Sequence, residues 1–283
     1  MGYKRLIRKM ASFILNSQPD KKVIIKTSQI DYHSLFKNKH VVVTGGSKGI
    51  GFAIAKKCVS EGATVVITGR NQKKLDDARM RLGERCYAIS FDATDIENSS
   101  KFLEQAVDKL KAPIDILVSN AGISLHENTF LNVTPESFDK QFNTNFRAGY
   151  FLAQAYIKLQ LNQKASGQIL FVTSEAGDQN YDTPYGLTKS SLNSLVGALS
   201  RRVYKDGIRV NAIAPGVTVS DMTKEYAIVE DGNYYRKSAS DRLFLPEEIA
   251  EVACFLMSDA AQCISGEILH CNDGNHLNPF WEA

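Results

Sequence analysis

The sequence is poor in cysteine, in proline and in long apolar runs. Its 283 residues include only five cysteines, seven prolines and one tryptophan. The cysteines are odd in number, far apart and without a C-x-x-C pair, which argues against a disulfide scaffold or a zinc site and favours reduced, packed thiols in a cytoplasmic protein. They are Cys58, Cys86, Cys254, Cys263 and Cys271. Every apolar run is far shorter than the roughly 20 residues that cross a bilayer, so we expect a globular protein with no membrane span and no bound metal.

Positive charge is concentrated at the N-terminus. Residues 1–40 hold nine Lys or Arg and two Asp, whereas the rest of the chain is mildly acidic, which argues against a nucleic-acid-binding surface. Residues 3–15 place apolar side chains at helical spacing with Lys and Arg between them, a pattern that predicts a basic amphipathic helix. Such a helix could contact a membrane surface, could be a cleaved targeting segment, or could dock on this chain or on a neighbouring subunit. We assign residues 1–37 to this extension.

From residue 38 onward, short β-branched runs alternate with longer helical patterns. This alternation is typical of a parallel sheet with crossover helices on both faces. The predicted strands are His40–Thr44, Thr64–Thr68, Arg85–Phe91, Ile114–Ser119, Gln168–Thr173, Ile208–Ile213 and Glu267–His270. Two long helices are predicted over Ser137–Leu161 and Pro184–Tyr204. We therefore expect a single α/β domain of the Rossmann type, with a doubly wound parallel sheet of about seven strands.

A glycine-rich turn follows the first predicted strand. The segment Thr44–Gly51 lies between a buried strand and a helix, and it contains four glycines. Glycines allow the backbone to approach a ligand closely, and the free N–H groups at the start of a helix attract a pyrophosphate. The pattern predicts a dinucleotide site, although a simple turn is the alternative. Its predicted residues are Gly45, Ser47, Lys48, Gly49, Ile50 and Gly51.

The end of the second predicted strand indicates which dinucleotide binds. NAD-dependent sites place a carboxylate here to bind the ribose 2′-hydroxyl, but this chain has Gly69 followed by Arg70. Arg70 and Lys48 are cations suited to a 2′-phosphate, so the sequence favours NADP(H), unless both are ordinary surface cations. Further predicted contacts are Asp92 with the adenine amino group, and Asn120 and Gly122 beside the dinucleotide.

A tyrosine and a lysine lie four residues apart farther along the chain. Tyr185 and Lys189 share one helix face, and an ammonium beside a phenol would lower the pKa of that phenol from about 10 towards neutrality. The phenol could then exchange a proton with a carbonyl or an alcohol. Ser174 precedes this pair at a strand end. Tyr181 is a second phenol, which we interpret as a residue of the substrate loop at most.

Taken together and in this order, these motifs resemble the classical short-chain dehydrogenase/reductase family over about residues 38–277. Within the family, the chain is most similar to 3-oxoacyl carrier-protein reductases. The resemblance is carried by Thr44–Gly51, Asn120-Ala121-Gly122, Asn145, Ser174, Tyr185, Lys189 and Pro215-Gly216. It implies that residues 38–283 form the catalytic Rossmann domain of a homodimer or homotetramer. The two long predicted helices would form part of the subunit interface.

The resemblance also implies a role for each site residue. Tyr185 would give a proton to the substrate oxygen in reduction, and Ser174 would hydrogen-bond that oxygen. Lys189 would hold the nicotinamide ribose, and Asn145 would anchor a water that leads to Lys189. Further cofactor contacts are expected from Pro215, Thr218 and Ser220. One departure concerns the end of the domain, where Asp273-Gly274-Asn275 replaces the family's usual Asp-Gly-Gly.

The sequence does not select the substrate. A lid is expected over roughly residues 220–245, where aromatic and cationic side chains mix. The first hypothesis is an NADPH-dependent carbonyl reductase acting on a small molecule. The alternatives are an NAD(P)-dependent alcohol, sugar or hydroxysteroid dehydrogenase, and a cofactor-binding regulator or scaffold without turnover.

Overall fold

A computed structural model, which describes residues 32–223 and 238–277, contains one seven-stranded sheet in which all paired strands are parallel. The strands are β1 His40–Thr44, β2 Thr64–Gly69, β3 Cys86–Ser90, β4 Ile116–Ser119, β5 Gly167–Val172, β6 Ile208–Pro215 and β7 Ile268–Cys271. They lie in the order β3-β2-β1-β4-β5-β6-β7, which confirms the predicted Rossmann-type sheet. Strands β2 and β3 extend the sheet to one side of β1, and strands β4 to β7 extend it to the other. This change of side between β1 and β4 opens a crevice at the carboxyl ends of the strands.

Helices cover both faces of the sheet. They are α1 Gly49–Ser60, α2 Gln72–Leu82, α3 Ser99–Leu110, α4 Pro135–Gln141, α5 Ala148–Gln163, α6 Pro184–Val203 and α7 Pro246–Met257. Alternate residues of β1 point to opposite faces, so Val41 and Val43 join one apolar core and Val42 the other. None of the helices within residues 32–223 and 238–277 is long and apolar enough to cross a bilayer.

The region that precedes β1 contributes to the core. Phe36, which the sequence analysis assigned to the extension, is only 1% exposed and packs among residues of α1 and α7. Its backbone N–H donates to the Glu61 carbonyl at 2.9 Å. Glu61 also binds Lys57, which forms a second ion pair with Glu251 of α7. The predicted helix at residues 3–15 lies outside the described residues.

The long predicted helix Ser137–Leu161 differs from the structure in two respects. Its helical path contains a π-helical segment at Phe142–Arg147, which separates α4 from α5. The helix also starts earlier, because Thr134 caps the first turn through a hydrogen bond from the Ser137 N–H. Strand ends shift by one or two residues from the predicted ones. The expectation that every cysteine packs in the core is wrong for Cys263, which is exposed.

Candidate active site

A cleft of about 730 Å³ lies at the carboxyl ends of the strands. It brings together almost every site residue that the sequence predicted. These are Gly45, Ser47, Lys48, Gly49, Ile50, Gly51, Arg70, Asp92, Asn120, Gly122, Ser174, Tyr185, Lys189, Pro215, Thr218 and Ser220. The exception is Asn145, which is not among the residues that line the cleft. Residues from one end of the domain to the other thus meet in one crevice.

Asn120 holds the glycine-rich turn in place. Its side-chain amide donates to the carbonyls of Thr44 at 2.9 Å and of Gly45 at 3.2 Å. Gly45 has a φ of +65°, and a Cβ there would lie 3.0 Å from the Asn120 amide nitrogen. A larger residue at position 45 would therefore be strained and crowded. Asn120 acts on the turn itself as well as lining the cleft.

The start of α1 fits a phosphate group. Lys48 is the N-cap residue of this helix, and its side chain makes no capping hydrogen bond. The first N–H groups of the helix therefore have no side-chain acceptor at the cap, and the positive end of the helix dipole is at the same place. Because Gly45 and Gly49 leave the backbone uncovered at this point, the residues present fit the pyrophosphate of a dinucleotide.

Cations line the cleft beyond the end of β2. Arg70 and Lys74 both face this part of the cleft, and the Asn71 side chain caps α2 by accepting from the Lys74 N–H at 3.0 Å. Lys74 was not predicted from the sequence, although its position in the first turn after Gly69-Arg70 was a usable signal. Lys48, the other predicted cation, forms an ion pair with Asp221 at 2.8 Å.

The predicted adenine contact also has a local role. Asp92 Oδ1 accepts hydrogen bonds from the Thr94 N–H at 3.0 Å and from the Thr94 hydroxyl at 2.8 Å. Asp92 therefore shapes the loop that follows β3. Thr218 and Ser220 likewise make local hydrogen bonds, the first to the Gly216 carbonyl and the second with Thr223. The aromatic and cationic lid residues predicted between 224 and 237 lie outside the described residues.

Asn145 lies in the π-helical segment, and it is 3% exposed. Its side-chain amide donates to the Ile123 carbonyl at 2.8 Å and accepts from the Ile123 N–H at 2.8 Å. It also donates to the Thr188 hydroxyl at 3.3 Å. Asn145 thus ties the loop after β4 to the helix that carries Tyr185, and π-helical segments frequently occur at such functional positions.

Ser174, Tyr185 and Lys189 meet in the middle of the cleft. Ser174 follows β5, and its hydroxyl lies beside the Tyr185 phenol, where it favours the phenolate. The Lys189 ammonium donates to the Val172 carbonyl at 2.9 Å and lies 5.6 Å from the centre of the Tyr185 ring. This arrangement can polarise an oxygen atom and exchange a proton with it.

The family model described as Enoyl-(Acyl carrier protein) reductase matches residues 45–276. The chain belongs to the short-chain dehydrogenase/reductase family. This membership confirms the family predicted from the motifs, and it makes the chain an NAD(P)-dependent oxidoreductase of carbonyl and alcohol groups.

The match between this short-chain dehydrogenase/reductase and individual relatives covers almost the full length of each relative. The L-rhamnose 1-dehydrogenase (NADP(+)) of Thermoplasma acidophilum is 32% identical over 86% of this chain and 98% of the relative. A 3-oxoacyl-(acyl-carrier-protein) reductase of Chlamydia trachomatis is 34% identical over 85% of this chain and 98% of its own. The crystal structure of the Brucella melitensis 3-ketoacyl-(acyl-carrier-protein) reductase complexed with NADH has a TM-score of 0.76, with 27% identity over 86% of this chain and all of that one.

Burial sets the protonation of the two central groups of this short-chain dehydrogenase/reductase. It raises the pKa of the Tyr185 phenol above its ordinary value, against the opposing effect of the Ser174 hydroxyl. It lowers the pKa of the Lys189 ammonium to about 8. The spacing of Tyr185 and Lys189 predicted a lowered pKa for Tyr185, and that direction is wrong because desolvation of the phenol dominates.

Two carboxylates in the cleft of this family member were missed by the sequence analysis. Glu175 directly follows Ser174, is 8% exposed and contributes to the cleft lining. Glu127 lies in the loop after β4, where the buried Gln141 side chain donates to its carboxylate at 2.7 Å. The position of Glu175 next to Ser174 was a signal that could have been used, whereas Glu127 reaches the cleft only through the folded loop.

Proposed function

We propose that the chain reduces a carbonyl group to an alcohol with NADPH, and that Tyr185 gives the proton. The observation that carries this proposal is the meeting of Ser174, Tyr185 and Lys189 in one cleft with the uncapped start of α1. These residues combine a hydroxyl donor, a titratable phenol and a cation next to a phosphate-binding turn. The raised pKa of Tyr185 supports reduction, because a phenol that stays protonated at neutral pH is ready to act as a donor.

Each residue has a separate task in the proposed reaction. The bound nicotinamide supplies a hydride to the carbonyl carbon in reduction and accepts one in oxidation. Ser174 donates a hydrogen bond to the substrate oxygen, on which negative charge develops, and Tyr185 gives that oxygen its proton. Lys189 binds the ribose hydroxyls. Asn145 fixes the Ile123 backbone and anchors a water from which the proton is replaced.

The preference for NADP(H) rests on the cations beyond β2. Arg70 and Lys74 line the cleft where a 2′-phosphate would lie, and β2 ends in Gly69 rather than in a residue with a carboxylate. The relatives differ on this point, because one is named for NADP(+) and another was crystallised with NADH. Their names also include both a sugar and acyl-carrier-protein substrates. The preference is therefore argued from this chain's own residues.

We extend the proposal to a homodimer or homotetramer. Helices α5 and α6 carry exposed apolar or aromatic side chains that a neighbouring subunit would cover. They are Tyr150, Leu161, Leu187 and Tyr204, the last at the end of α6. Light scattering at micromolar concentration should give a mass above that of one chain. A cytoplasmic location stays a prediction.

The decisive experiment follows the consumption of NADPH by the purified chain with panels of ketones, 3-oxoacyl thioesters and sugars. We expect turnover of at least one carbonyl class, with NADPH preferred over NADH at equal concentration. The Tyr185→Phe variant, assayed beside the wild type, should consume almost no NADPH or NADH. Failure of the wild type with every panel, in both directions of the reaction, would rule out the proposed activity.

A further inference from the structure

Glu175 is held in the cleft by the segment that follows β7. Its Oε2 accepts hydrogen bonds from the side-chain amides of Asn272 at 3.1 Å and of Asn275 at 3.0 Å. Asn272 is 1% exposed, and the Asn275 carbonyl accepts from the Gln179 amide at 3.2 Å. The carboxylate is therefore fixed by residues about a hundred positions away along the chain.

Both hydrogen bonds that fix the carboxylate fall on the same oxygen. An ionised carboxylate only accepts hydrogen bonds, and it has about four acceptor sites. Both amides bind Oε2, and within the part of the chain that the structure describes no group donates to Oε1 of Glu175. Because Glu175 lies beside Ser174 and lines the cleft, this oxygen can receive a hydrogen bond from a substrate held at Tyr185.

Asn275 explains a departure of this sequence from its family. The family's usual Asp-Gly-Gly reads Asp273-Gly274-Asn275 here, and a glycine at position 275 would have no amide to donate to Glu175. The substitution thus supplies one of the two donors that orient the carboxylate. Asn275 is a positioning residue, since it acts on the site through Glu175.

Further polar side chains line the cleft, beside the apolar Ile123, Val217 and Met222. Glu127 is a second acceptor, fixed by Gln141 at 2.7 Å. Ser124, Tyr181 and Thr183 line the same cleft with hydroxyl groups, which both donate and accept. An apolar ring or acyl chain would form no hydrogen bond with these groups, whereas an anionic substrate would meet two carboxylates.

We infer that Glu175, oriented by Asn272 and Asn275, accepts a hydrogen bond from a hydroxyl of the substrate, and that the substrate is a neutral polyhydroxylated carbonyl compound or its alcohol. This inference rests on the proposed function. It names the substrate class for the same site, and it distinguishes neutral sugars and polyols from sugar acids, steroids and acyl thioesters.

The test compares two kinds of substrate in wild-type and variant chains. Neutral aldoses and alditols are assayed beside cyclohexanone and cyclohexanol, which lack further hydroxyls, and beside aldonates. Wild type should favour the neutral polyhydroxylated compounds. In Glu175→Gln, the ratio of kcat/KM for the polyhydroxylated substrate to that for the hydroxyl-free one should fall about tenfold or more, the size expected for a charged hydrogen bond. The kcat/KM for aldonates should rise in the same variant.

Two further variants distinguish the orientation of the Glu175 carboxylate from nonspecific effects of a substitution on the fold. Asn275→Gly should lower the same ratio by a smaller factor, through KM rather than kcat, because the carboxylate remains but is less well fixed. Glu84→Gln removes an exposed carboxylate far from the cleft and should not change the ratio. Calorimetric binding of the alditol to the chain loaded with NADP(+) supplies a readout that does not depend on turnover.

The possible failures are distinguishable. If wild type reduces cyclohexanone or an oxoacyl thioester but no neutral polyhydroxylated compound, the inference is wrong and the proposed function stands. The assigned role of Glu175 is wrong if Glu175→Gln changes kcat/KM by the same factor for all substrates. It is also wrong if alditol binds to Glu175→Gln and Asn275→Gly as tightly as to wild type. If no carbonyl compound or alcohol reacts in wild type, the proposed function itself fails.

Discussion

Lys48 and Asp221 form an ion pair on the lining of the cleft, with the lysine ammonium 2.8 Å from one carboxylate oxygen. The two residues are 173 positions apart in the sequence. Their side chains are 57% and 44% exposed, so solvent screens the pair and its contribution to stability is at most about 1 kcal/mol. A carboxylate at this position would compete with a phosphate of the proposed cofactor for the same cation.

Replacing Asp221 should therefore strengthen NADPH binding. In Asp221→Asn, Lys48 loses its anionic partner, and a competing pair worth ~0.2–1 kcal/mol corresponds to a gain in NADPH affinity of about 1.4- to fivefold. NADH lacks the 2′-phosphate and should bind with little change. Fluorescence titration with both cofactors measures the difference. An equal gain for NADH would show that Lys48 does not act on the 2′-phosphate.

Arg70 should determine the preference between the two cofactors. Arg70→Ala removes a charged hydrogen bond worth ~1.5–3 kcal/mol, so the Kd for NADPH should rise about tenfold or more while that for NADH changes little. Arg85→Ala, at an exposed position before β3, is the matched control and should alter neither. Equal affinity of the wild type for both cofactors would contradict the assignment.

Tyr185 should be required for turnover and not for cofactor binding. Tyr185→Phe removes the proton donor, and loss of a general acid typically costs ~10²–10⁴ in rate. The Kd for NADPH should stay within about twofold of wild type, because the ring and its packing remain. Tyr181→Phe, which keeps the phenol of Tyr185, serves as the comparison and should lose far less turnover. Activity retained in Tyr185→Phe and lost in Tyr181→Phe would move the donor role to Tyr181.

The pH profile should report on Lys189. Because burial lowers the pKa of Lys189 to about 8, it is an ammonium below that pH and a neutral amine above it. Tyr185, whose pKa burial raises, stays protonated across this range. The kcat/KM for reduction should be constant below about pH 8 and fall above it. This fall in kcat/KM at high pH should be absent from the residual activity of Lys189→Met. If the fall persists in that variant, a group other than Lys189 causes it.

Phe36 should be required for stability of the main domain. Its side chain is 1% exposed in the core cluster that also contains residues of α1 and α7, and Phe→Ala substitutions in cores typically cost about 3–5 kcal/mol. Urea denaturation should show that the free energy of unfolding of Phe36→Ala is lower than that of wild type by about this amount. Tyr32, four residues earlier, is 64% exposed, so Tyr32→Ala should have a much smaller effect. Similar losses in both variants would mean that residues 32–36 act as one docked segment rather than through Phe36.

The sequence by itself determined the parallel sheet and the central part of the site. Runs such as Val41-Val42-Val43 are buried on both faces, so they are readable as inner strands of an α/β domain. The glycine turn and the spacing of Tyr185 and Lys189 are local features, since each depends on residues within one strand–turn–helix unit or one helix turn. Local patterns of this kind can be interpreted without knowing how distant segments pack.

Tertiary structure decided the partners and the charges of these groups. The contacts of Asp221 with Lys48 and of Asn275 with Glu175 join positions about a hundred or more residues apart, and no local pattern specifies them. The π-helical segment around Asn145 likewise accompanies hydrogen bonds to Ile123 in another loop. The pKa of Tyr185 moved opposite to the direction expected from its spacing to Lys189. Desolvation depends on everything that packs around a group, and only the folded chain fixes that packing.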